Sequence, residues 1–302
     1  MTAIFFAGLD VCLPSNQPLL MKFAPFYICM LWFLPIVVLR ADSTTITVMS
    51  YNIRMDTPAD GPNAWPKRKS WVVQIIKDAT ADLVGLQEVT TPQMEFLVKQ
   101  LPYGHYAVGR DNGANKGERC AIFYNSNRFE LLDNGTFWLS KKPHEPGSKS
   151  WDAAITRIAS WVKLRETGTG KELYFYNTHF DHKGEEARYY SMLLLKKQIR
   201  ERADKIPVIV AGDFNFVPQS RPYNEINSTS SDYVLRDCFL EALEKDGELT
   251  CCGFDANNKN CSRIDYVLVS SAFEVQSYQV LAQSKKGSYA SDHLPVICKV
   301  RF

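Results

Sequence analysis

Residues 208–215 place a carboxylate and a carboxamide where the two groups could act together on a phosphoryl group. The first four residues, Val-Ile-Val-Ala, are typical of a buried strand, which Gly212 ends. Asp213 and Asn215 follow on the turn, and residues two apart on an extended segment point the same way. The carboxylate can accept a proton from water, and the amide can hold that water or a phosphate oxygen. An aspartate after a strand is more often a turn former, so this interpretation depends on similar strand ends elsewhere.

Other strand-like segments carry polar residues of the same kind at one end. Asn52 ends the alternating segment that begins at Thr45, Glu88 ends an apolar segment, and His179 ends a third. A glutamate at the end of a buried strand either pairs with a basic group or binds a cation, and hard divalent cations prefer such oxygen ligands. In isolation, Asn52 could instead start the following loop, and a lone histidine is usually structural or exposed.

Asp265 lies among apolar residues near the C-terminus, where an unpaired charge is costly to bury. His293 lies in the segment Ser-Asp-His-Leu-Pro that starts at Ser291. Its imidazole needs an anion to fix the tautomer and raise the basicity. We therefore expect Asp265 to contact His293, with Asp292 left to face a metal ion or water.

Three more basic side chains are candidates for contact with a substrate. Arg157 starts an alternating segment, where it could reach a phosphate or could equally be an ordinary exposed arginine. His182 and Arg188 follow His179 closely in the sequence, which favours a polar cluster at this strand end.

The composition permits one large α/β domain and excludes several other classes of protein. The chain has 302 residues, 45% of them hydrophobic, and a formal net charge of +2. It is therefore long and apolar enough for a sizeable core and does not have a disordered composition. It lacks the basic runs of strong nucleic-acid binders, so a polyanion would have to bind at a local patch.

Residues 1–41 differ from the rest of the chain. They hold three charged residues, and residues 23–39 are uncharged and mostly apolar. Lys22, this apolar run and Ala41 match the three regions of a signal peptide, with Met21 as an alternative start. Secretion or entry into the endomembrane system is therefore predicted. The alternative is an uncleaved membrane anchor, although so short a run with two prolines is at the lower limit for a membrane span.

Six of the eight cysteines follow this leader, an even number that is compatible with disulfides in a secreted chain. Cys252 and Cys261 flank a polar loop and are the best candidate pair. Cys120 and Cys298 lie in apolar strand-like runs, where a buried free thiol is expected. No spacing of cysteines and histidines is typical of a zinc site.

One domain over residues 42–302 is the simplest account of the remaining chain, which shows no internal repeat and no long linker. Helical spacing of apolar residues predicts helices over 65–78, 91–101, 185–202 and 233–243. The strands between them form hairpin-like pairs instead of a steady βαβ alternation. This pattern favours an α/β fold, a four-layer α/β/β/α sandwich of two mixed, largely antiparallel sheets.

Six short motifs resemble, in order along the chain, those of the endonuclease/exonuclease/phosphatase superfamily. They are Ser50-Tyr-Asn52, Leu86-Gln-Glu88-Val, Asn177-Thr-His179, Gly212-Asp213-Phe-Asn215, Arg263-Ile-Asp265-Tyr and Ser291-Asp292-His293-Leu-Pro. Each motif is weak alone, but six in order, each at a strand end, make chance agreement hard to credit. The resemblance covers about residues 45–302. It implies a DNase I-like sandwich that cleaves phosphoester bonds with a divalent cation.

The resemblance also implies a set of cation ligands. Glu88 would be the main ligand of Mg²⁺, or of Mn²⁺, with help from Asn52 and Asp292. In-line displacement at phosphorus needs such a cation on the developing negative charge.

The catalytic roles that the resemblance implies fall on five residues. Asp213 would orient or deprotonate the attacking water, and Asn215 would hold that water or a phosphate oxygen. His293, held by Asp265, would contact the scissile phosphate and offset charge in the transition state. His179 would do the same from another side.

Two branches of the superfamily share features with this chain. Residues 116–124 resemble the Ccr4 and nocturnin-type deadenylases, whereas residues 178–182 resemble a largely uncharacterised bacterial-type group. The second likeness implies that Arg157, His182 and Arg188 contact the substrate.

Three functions follow from these features. A nuclease is the first expectation, with a 3′–5′ RNA exonuclease as its most specific form, because a short single-stranded end needs only a local groove. The second is a phosphatase or phosphodiesterase of a small molecule or lipid headgroup, such as a sugar phosphate, inositol phosphate or sphingomyelin. A non-enzymatic binding protein would have lost one of the motif residues, and all are present. No obligate protein partner is evident, so we expect a monomer that binds a phosphoester.

Overall fold

Two β-sheets packed face to face form the centre of the fold. The computed structural model describes residues 45–229 and 233–302, which fall within one compact unit. The predicted leader, residues 1–41, lies outside the described residues, so secretion and membrane anchoring stay predictions. None of the helices in the described ranges is long and apolar enough to cross a membrane.

The described residues contain strands of two to ten residues. In chain order they are β1 (Thr45–Asn52), β2 (Leu83–Val89), β3 (Gly104–Tyr106), β4 (Arg119–Tyr124), β5 (Phe129–Trp138), β6 (Ile158–Glu166), β7 (Glu172–His179), β8 (Val208–Asp213), β9 (Arg236–Asp237), β10 (Glu244–Asp246), β11 (Asp265–Val269), β12 (Glu274–Val280) and β13 (Val296–Arg301).

The strands form two mixed sheets, as predicted. The first has the order β10-β12-β13-β1-β2-β4-β3, and the second has the order β5-β6-β7-β8-β11-β9. Three neighbouring pairs are parallel, β1 with β2, β7 with β8, and β10 with β12. The other pairs are antiparallel. The ends of β1 and β8 meet across the two sheets, because Asn52 donates to Asp213, so these central strands end at the same side of the sandwich.

Helices cover the outer face of each sheet. Within the described ranges they are α1 (Trp65–Ala79), α2 (Thr91–Gln100), α3 (Glu185–Ala203) and the single turns α4 (Arg221–Asn224) and α5 (Cys238–Glu241). A short 3₁₀ segment, Pro58–Asn63, precedes α1. Pro66 and Pro92 lie at the starts of α1 and α2, where a missing backbone N–H is tolerated.

The alternation of side chains along each strand creates the layers. Ile46 and Val48 of β1 pack with Ile209 and Ala211 of β8 in the core between the two sheets. The alternate residues of each strand face the helices instead. Burial on both faces explains why the central strands are almost continuously apolar.

Two further cores lie under the helices. Met49 of β1 packs with Val72 of α1 and Leu97 of α2. On the other side of the molecule, Val208 of β8 packs with Leu195 of α3. The order of layers is helices, sheet, sheet, helix, so the predicted four-layer sandwich is confirmed.

Two predictions of secondary structure were wrong. The expected helix over residues 233–243 is replaced, in its described residues, by β9 and the single turn α5. Asp237 pairs with Leu268 of β11 and caps α5 by accepting from the N–H of Phe239, so sheet pairing overrides the helical spacing. In addition, β3, β10 and β12 were not predicted: β3 and β10 have three residues each, and the alternation of β12 is interrupted by a bulge between Val275 and Ser277.

The cysteine predictions agree with the structure. Cys252 and Cys261 form a disulfide. Cys120 and Cys298 are buried free thiols.

Candidate active site

Three strand ends of the second sheet align His179, Asp213 and Asp265 in one row. β7 and β8 are parallel, with His179 opposite Asp213, and β11 is antiparallel to β8, with Asp265 opposite Asp213. Side chains of directly opposed residues lie on the same face of a sheet, about 5 Å apart. The register therefore brings an imidazole and two carboxylates together at the end of the sandwich.

Asp213 is the centre of a hydrogen-bond network. Its Oδ2 accepts a hydrogen bond of 3.0 Å from Nδ2 of Asn52. The same oxygen lies 3.2 Å from Nε2 of His179 and 3.8 Å from Nε2 of His293. Oδ1 accepts from the backbone N–H of Asn215 at 3.0 Å. Both carboxylate oxygens are therefore held in place before a substrate binds.

The environment of Asp213 suits a general base. Burial and the neighbouring charge of Asp265 raise the pKa of Asp213 to about 7. A base is most effective when its pKa lies near the working pH. Asn215, which follows on the turn, donates its Nδ2–H to the carbonyl of Phe180 at 3.1 Å, so its amide is fixed beside Asp213.

His293 and Asp265 form the predicted pair. Nδ1 of His293 lies 2.8 Å from Oδ2 of Asp265, and both side chains are buried. Burial lowers the pKa of His293, but the negative charges of Asp265 and Asp213 outweigh burial and raise that pKa well above its ordinary value. The imidazole is therefore a cation near neutral pH, with Nε2–H as the proton that faces Asp213.

Glu88 reaches the same region from the first sheet. The register between β2 and β4 shifts between Leu86 and Val89, which marks a bulge, and Glu88 itself has φ of 63°. Its Oε1 accepts from Nδ2 of Asn52 at 3.0 Å, and its Oε2 accepts from the N–H of Met55 at 2.9 Å. Burial raises the pKa of Glu88, but these two hydrogen bonds and the charges of His293 and Arg54 together outweigh it, so the pKa lies below its ordinary value. Glu88 is therefore a carboxylate at neutral pH.

The donor set around Glu88 fits a hard divalent cation. Glu88 and Asp292 both line the cleft, and the charge of Glu88 contributes, after burial, to a raised pKa of Asp292. A cation between two such carboxylates would relieve this repulsion. Asn52 presently turns Nδ2 toward Glu88, while its Oδ1 accepts from the N–H of Arg54 at 3.0 Å. A half turn of the amide would offer the oxygen to a cation.

A second group of possible ligand atoms is occupied by its own hydrogen bonds. One ligand atom from each of Asp213, Asp265 and His293 lies within 4.8 Å of the others. Oδ2 of Asp265 already accepts from His293 and from Oγ1 of Thr250. These atoms therefore form a hydrogen-bonded relay, and the Glu88 side of the cleft is the better cation site.

An open cleft of about 310 Å³ lies over these groups. It is lined by Arg54, Met55, Glu88, Glu118, Ile155, Arg157, His179, His182, Asp213, Asn215, Asp292 and His293. Its volume is at the lower end of the range of about 300–1,000 Å³ for small-molecule sites. The structure thus brings the predicted metal ligands and the predicted catalytic groups to one cleft, with Asp265 and Asn52 directly behind its wall.

Arg157 is a buried cation in the wall of this cleft. The residue is 6% exposed, and its Nε and Nη1 are closed to solvent and have no hydrogen-bond partner within the described residues. Nη2 lies 3.4 Å from Nδ1 of His182. Burial and the charge of Arg157 lower the pKa of His182, so this ring is neutral near pH 7. A buried guanidinium needs negative charge nearby, which the carboxylates of Glu118 and Asp213 supply in part and an anion in the cleft would complete.

Arg188 does not line the cleft. Its Nη1 donates to the carbonyl of Asp181 at 3.0 Å. Oδ1 of Asp181 in turn accepts from the N–H groups of Lys183 and Gly184. Arg188 therefore stabilises the turn that carries His182, and its contact with a substrate stays a prediction.

Sequence reasoning missed two polar groups of the cleft wall. Arg54 has φ of 56° and forms a bidentate pair with Asp60, which leaves Nη1 3.8 Å from Asp292. Glu118 forms a bidentate pair with Arg110. The left-handed backbone of Arg54 follows Asn52 by two residues, but nothing in the sequence marks this conformation.

A sequence profile of the Endonuclease/Exonuclease/phosphatase family matches residues 49–293, which include the cleft residues described above. A solved structure of an endonuclease/exonuclease/phosphatase from Bacteroides vulgatus is 38% identical, covers 85% of this chain and 98% of its own, and has a TM-score of 0.81. The mannosyl-6-phosphatase of Bacteroides thetaiotaomicron is 34% identical, covers 85% of this chain and 100% of its own, and has a TM-score of 0.80.

Curated relatives include nocturnin of Xenopus laevis, 24% identical over 87% of this chain and 76% of nocturnin. The Ccr4 exoribonuclease subunit of Mycosarcoma maydis is 24% identical over 61% of this chain, and the match spans only 36% of that protein. The profile match, the bacterial structures and the shared sandwich agree on a phosphoesterase. The chain therefore belongs to the endonuclease/exonuclease/phosphatase family.

Proposed function

We propose that the protein is a divalent-cation-dependent phosphomonoesterase that acts on a small phosphorylated molecule, with sugar phosphates as the leading class. The observation that carries this proposal is the buried guanidinium of Arg157, a positive charge in the wall of a cleft of about 310 Å³. A terminal phosphate has more free oxygens and more charge than a diester, so it best matches such a charge.

Each group of residues in the cleft has its own role in hydrolysis. A divalent cation held by Glu88, Asp292 and the oxygen of Asn52 would supply positive charge beside the phosphate. Asp213 takes a proton from the attacking water, which its raised pKa allows. The cationic His293 donates its Nε2–H to a phosphate oxygen as negative charge develops there.

Two further groups hold the substrate in place. Asn215, fixed by its hydrogen bond to Phe180, orients the water or a phosphate oxygen. Arg157 holds a fixed positive charge in the cleft wall, which attracts the remaining phosphate oxygens. Because Asn215 and Arg157 are already in position, neither has to reorganise when the transition state forms.

The size of the cleft and the bacterial likeness support a small substrate over a nucleic acid, which was the first expectation from the sequence. The net charge of +2 offers little general attraction to a polyanion. A 3′–5′ RNA exonuclease is the second candidate. The specific support for it is the likeness to nocturnin, which extends over 87% of this chain.

The test is release of phosphate from a panel that contains mannose 6-phosphate, glucose 6-phosphate, an inositol monophosphate and a short single-stranded RNA, with Mg²⁺ or Mn²⁺. We expect turnover of at least one sugar phosphate and loss of that turnover in Asp213→Asn. Shortening of the RNA without turnover of any monoester would replace this proposal with the exonuclease.

Arg157→Met tests the observation that carries the proposal. We expect the KM for the monoester to rise about 10- to 100-fold, which corresponds to the loss of one interaction with a charged group. The matched control is Arg165→Met, because Arg165 lies on β6, which follows Arg157 directly, but is partly exposed and paired with Glu130 and Glu172. An equal KM in wild type and Arg157→Met would contradict the assigned role.

A further inference from the structure

Thr250 lies directly behind the Asp265–His293 pair and is completely buried. Its Oγ1 lies 2.6 Å from Oδ2 of Asp265, the same oxygen that accepts from Nδ1 of His293 at 2.8 Å. Oδ1 of Asp265 has no hydrogen-bond partner among the described residues. The orientation of this carboxylate therefore depends on two donors, and Thr250 supplies one of them.

The surroundings of the Thr250 hydroxyl determine where its proton points. Oγ1 accepts from the backbone N–H groups of Ile264 and Asp265, each at 3.2 Å. Its own proton can go to Oδ2 of Asp265 at 2.6 Å or to the carbonyl of Ser262 at 3.4 Å. The shorter, charge-assisted bond to the carboxylate is the stronger one. Thr250 is therefore a donor to Asp265.

The backbone of Thr250 joins the two chain segments that carry the pair. Its carbonyl accepts from the N–H of Leu294, next to His293, and its N–H donates to the carbonyl of Ser262 at 3.0 Å. The disulfide between Cys252 and Cys261 further ties the segment of Thr250 to the segment that carries Asp265, and the bridge between Cys251 and His293 ties it to the segment that carries His293. Thr250 is thus fixed relative to both Asp265 and His293.

We propose that Thr250 is a positioning residue for phosphoester hydrolysis. Its hydroxyl holds the Asp265 carboxylate in the one orientation in which Oδ2 faces Nδ1 of His293. The imidazole is then held with Nε2–H directed toward the cleft. Without this donor the carboxylate can rotate about its Cβ–Cγ bond and release the ring. The inference rests on the proposed function only for the choice of substrate.

The test compares Thr250→Val, which removes the hydroxyl at nearly constant volume, with Thr250→Ser, which keeps it. We expect Thr250→Val to lower kcat for p-nitrophenyl phosphate about 10- to 100-fold, as for other residues that orient a catalytic group, with KM unchanged within about twofold. Thr250→Ser should retain kcat within about threefold. A wild-type kcat in Thr250→Val, an equal loss in both variants, or a loss confined to KM would overturn the proposal.

Proton NMR gives a readout that needs no substrate. The Nδ1–H of His293 in its hydrogen bond to Asp265 should give a downfield resonance, assigned by its loss in His293→Gln. We expect Thr250→Ser to retain this resonance and Thr250→Val to shift or broaden it. Thr136→Val is the matched control, because that hydroxyl bonds Ser160 on the far side of the same sheet. An unchanged resonance in Thr250→Val overturns the proposal, even where no monoester is hydrolysed and the proposed function fails.

Discussion

Nε2 of His179 lies 3.2 Å from Oδ2 of Asp213, at the adjacent ends of two parallel strands. Burial, together with the charges of Arg157 and Arg110, keeps the pKa of His179 well below its ordinary value. The ring is therefore neutral near pH 7 and acts toward Asp213 as a hydrogen-bond donor without charge. An imidazolium at this position would oppose the high pKa of Asp213. A neutral one permits Asp213 to remain a base.

The pH profile should report the protonation of Asp213. Its pKa is raised to about 7, and only the deprotonated form can accept a proton from water. We expect kcat/KM to rise with pH, with an acid limb near pH 7 at low cation concentration that moves lower as the cation concentration increases. Asp213→Asn should lower kcat about 10²- to 10⁴-fold. A profile that is flat from pH 5 to 8 would contradict this assignment.

The same raised pKa predicts that Asp213→Asn stabilises the fold. The folded protein holds the Asp213 proton more tightly than the unfolded chain, in which aspartate has a pKa of about 4. Between the two pKa values the folded state binds more protons, so the free energy of unfolding falls as the pH rises toward 7. At pH 8 the full penalty is present. In chelator, Asp213→Asn should therefore melt several degrees higher than wild type at pH 8, and the difference should shrink toward pH 4. A constant difference in melting temperature would contradict the linkage.

The sequence predicts those parts of the site in which a buried charge needs a partner. Asp265 lies in an apolar segment, so an unpaired carboxylate was excluded and His293 was its available cation. Asp213 ends a strand of β-branched residues, which fixes its burial, whereas Asn215 is placed beside it by a turn on which its own φ is 51°. Period-two alternation and strand-end polarity therefore predicted the sandwich and the row of polar groups at its edge.

The parts that could not be predicted depend on backbone geometry and long-range pairing. A bulge in β2 directs the side chain of Glu88 into the cleft, and the left-handed backbone of Arg54 directs its side chain there. Neither position is a glycine, so the sequence does not indicate these conformations. Thr250 becomes relevant only once residues far apart in sequence are paired. Arg188 has the same residue type as Arg157, but the fold places its guanidinium against a turn carbonyl. Residue type alone does not separate these two arginines.

Glu88→Gln should weaken cation binding. The substitution removes one of the two carboxylates of the cation site, and affinity for hard cations depends on ligand charge. We expect the dissociation constant for Mg²⁺ or Mn²⁺ to rise more than about 10-fold, measured by calorimetry or by the cation-induced rise in melting temperature. Glu118→Gln is the matched control, because Glu118 lines the same cleft but is paired with Arg110. Equal weakening in both variants would indicate a general charge effect instead of a ligand.

Arg68→Met should destabilise the protein and impair the site together. The buried guanidinium of Arg68 donates to carbonyls of the loop after β1 and to that of Ala290, close to Asp292. Removal leaves several buried carbonyls without a donor, each at about 1–3 kcal/mol. We expect the free energy of unfolding to fall by about 3 kcal/mol or more in denaturant titrations. Lys67→Met, on an exposed position of the same helix, should change it little.

Loss of the disulfide should weaken the position of Thr250, and through it that of Asp265. The bond between Cys252 and Cys261 closes a loop that follows Thr250, so its removal frees chain entropy in the unfolded state. We expect Cys252→Ser with Cys261→Ser to lose about 2–3 kcal/mol of stability and to lower kcat, because Thr250 is then held less firmly. Dithiothreitol should produce the same losses in wild type and none in the double variant. If the double variant loses stability but keeps its kcat, the hydrogen bonds of Thr250 alone are sufficient to hold Asp265.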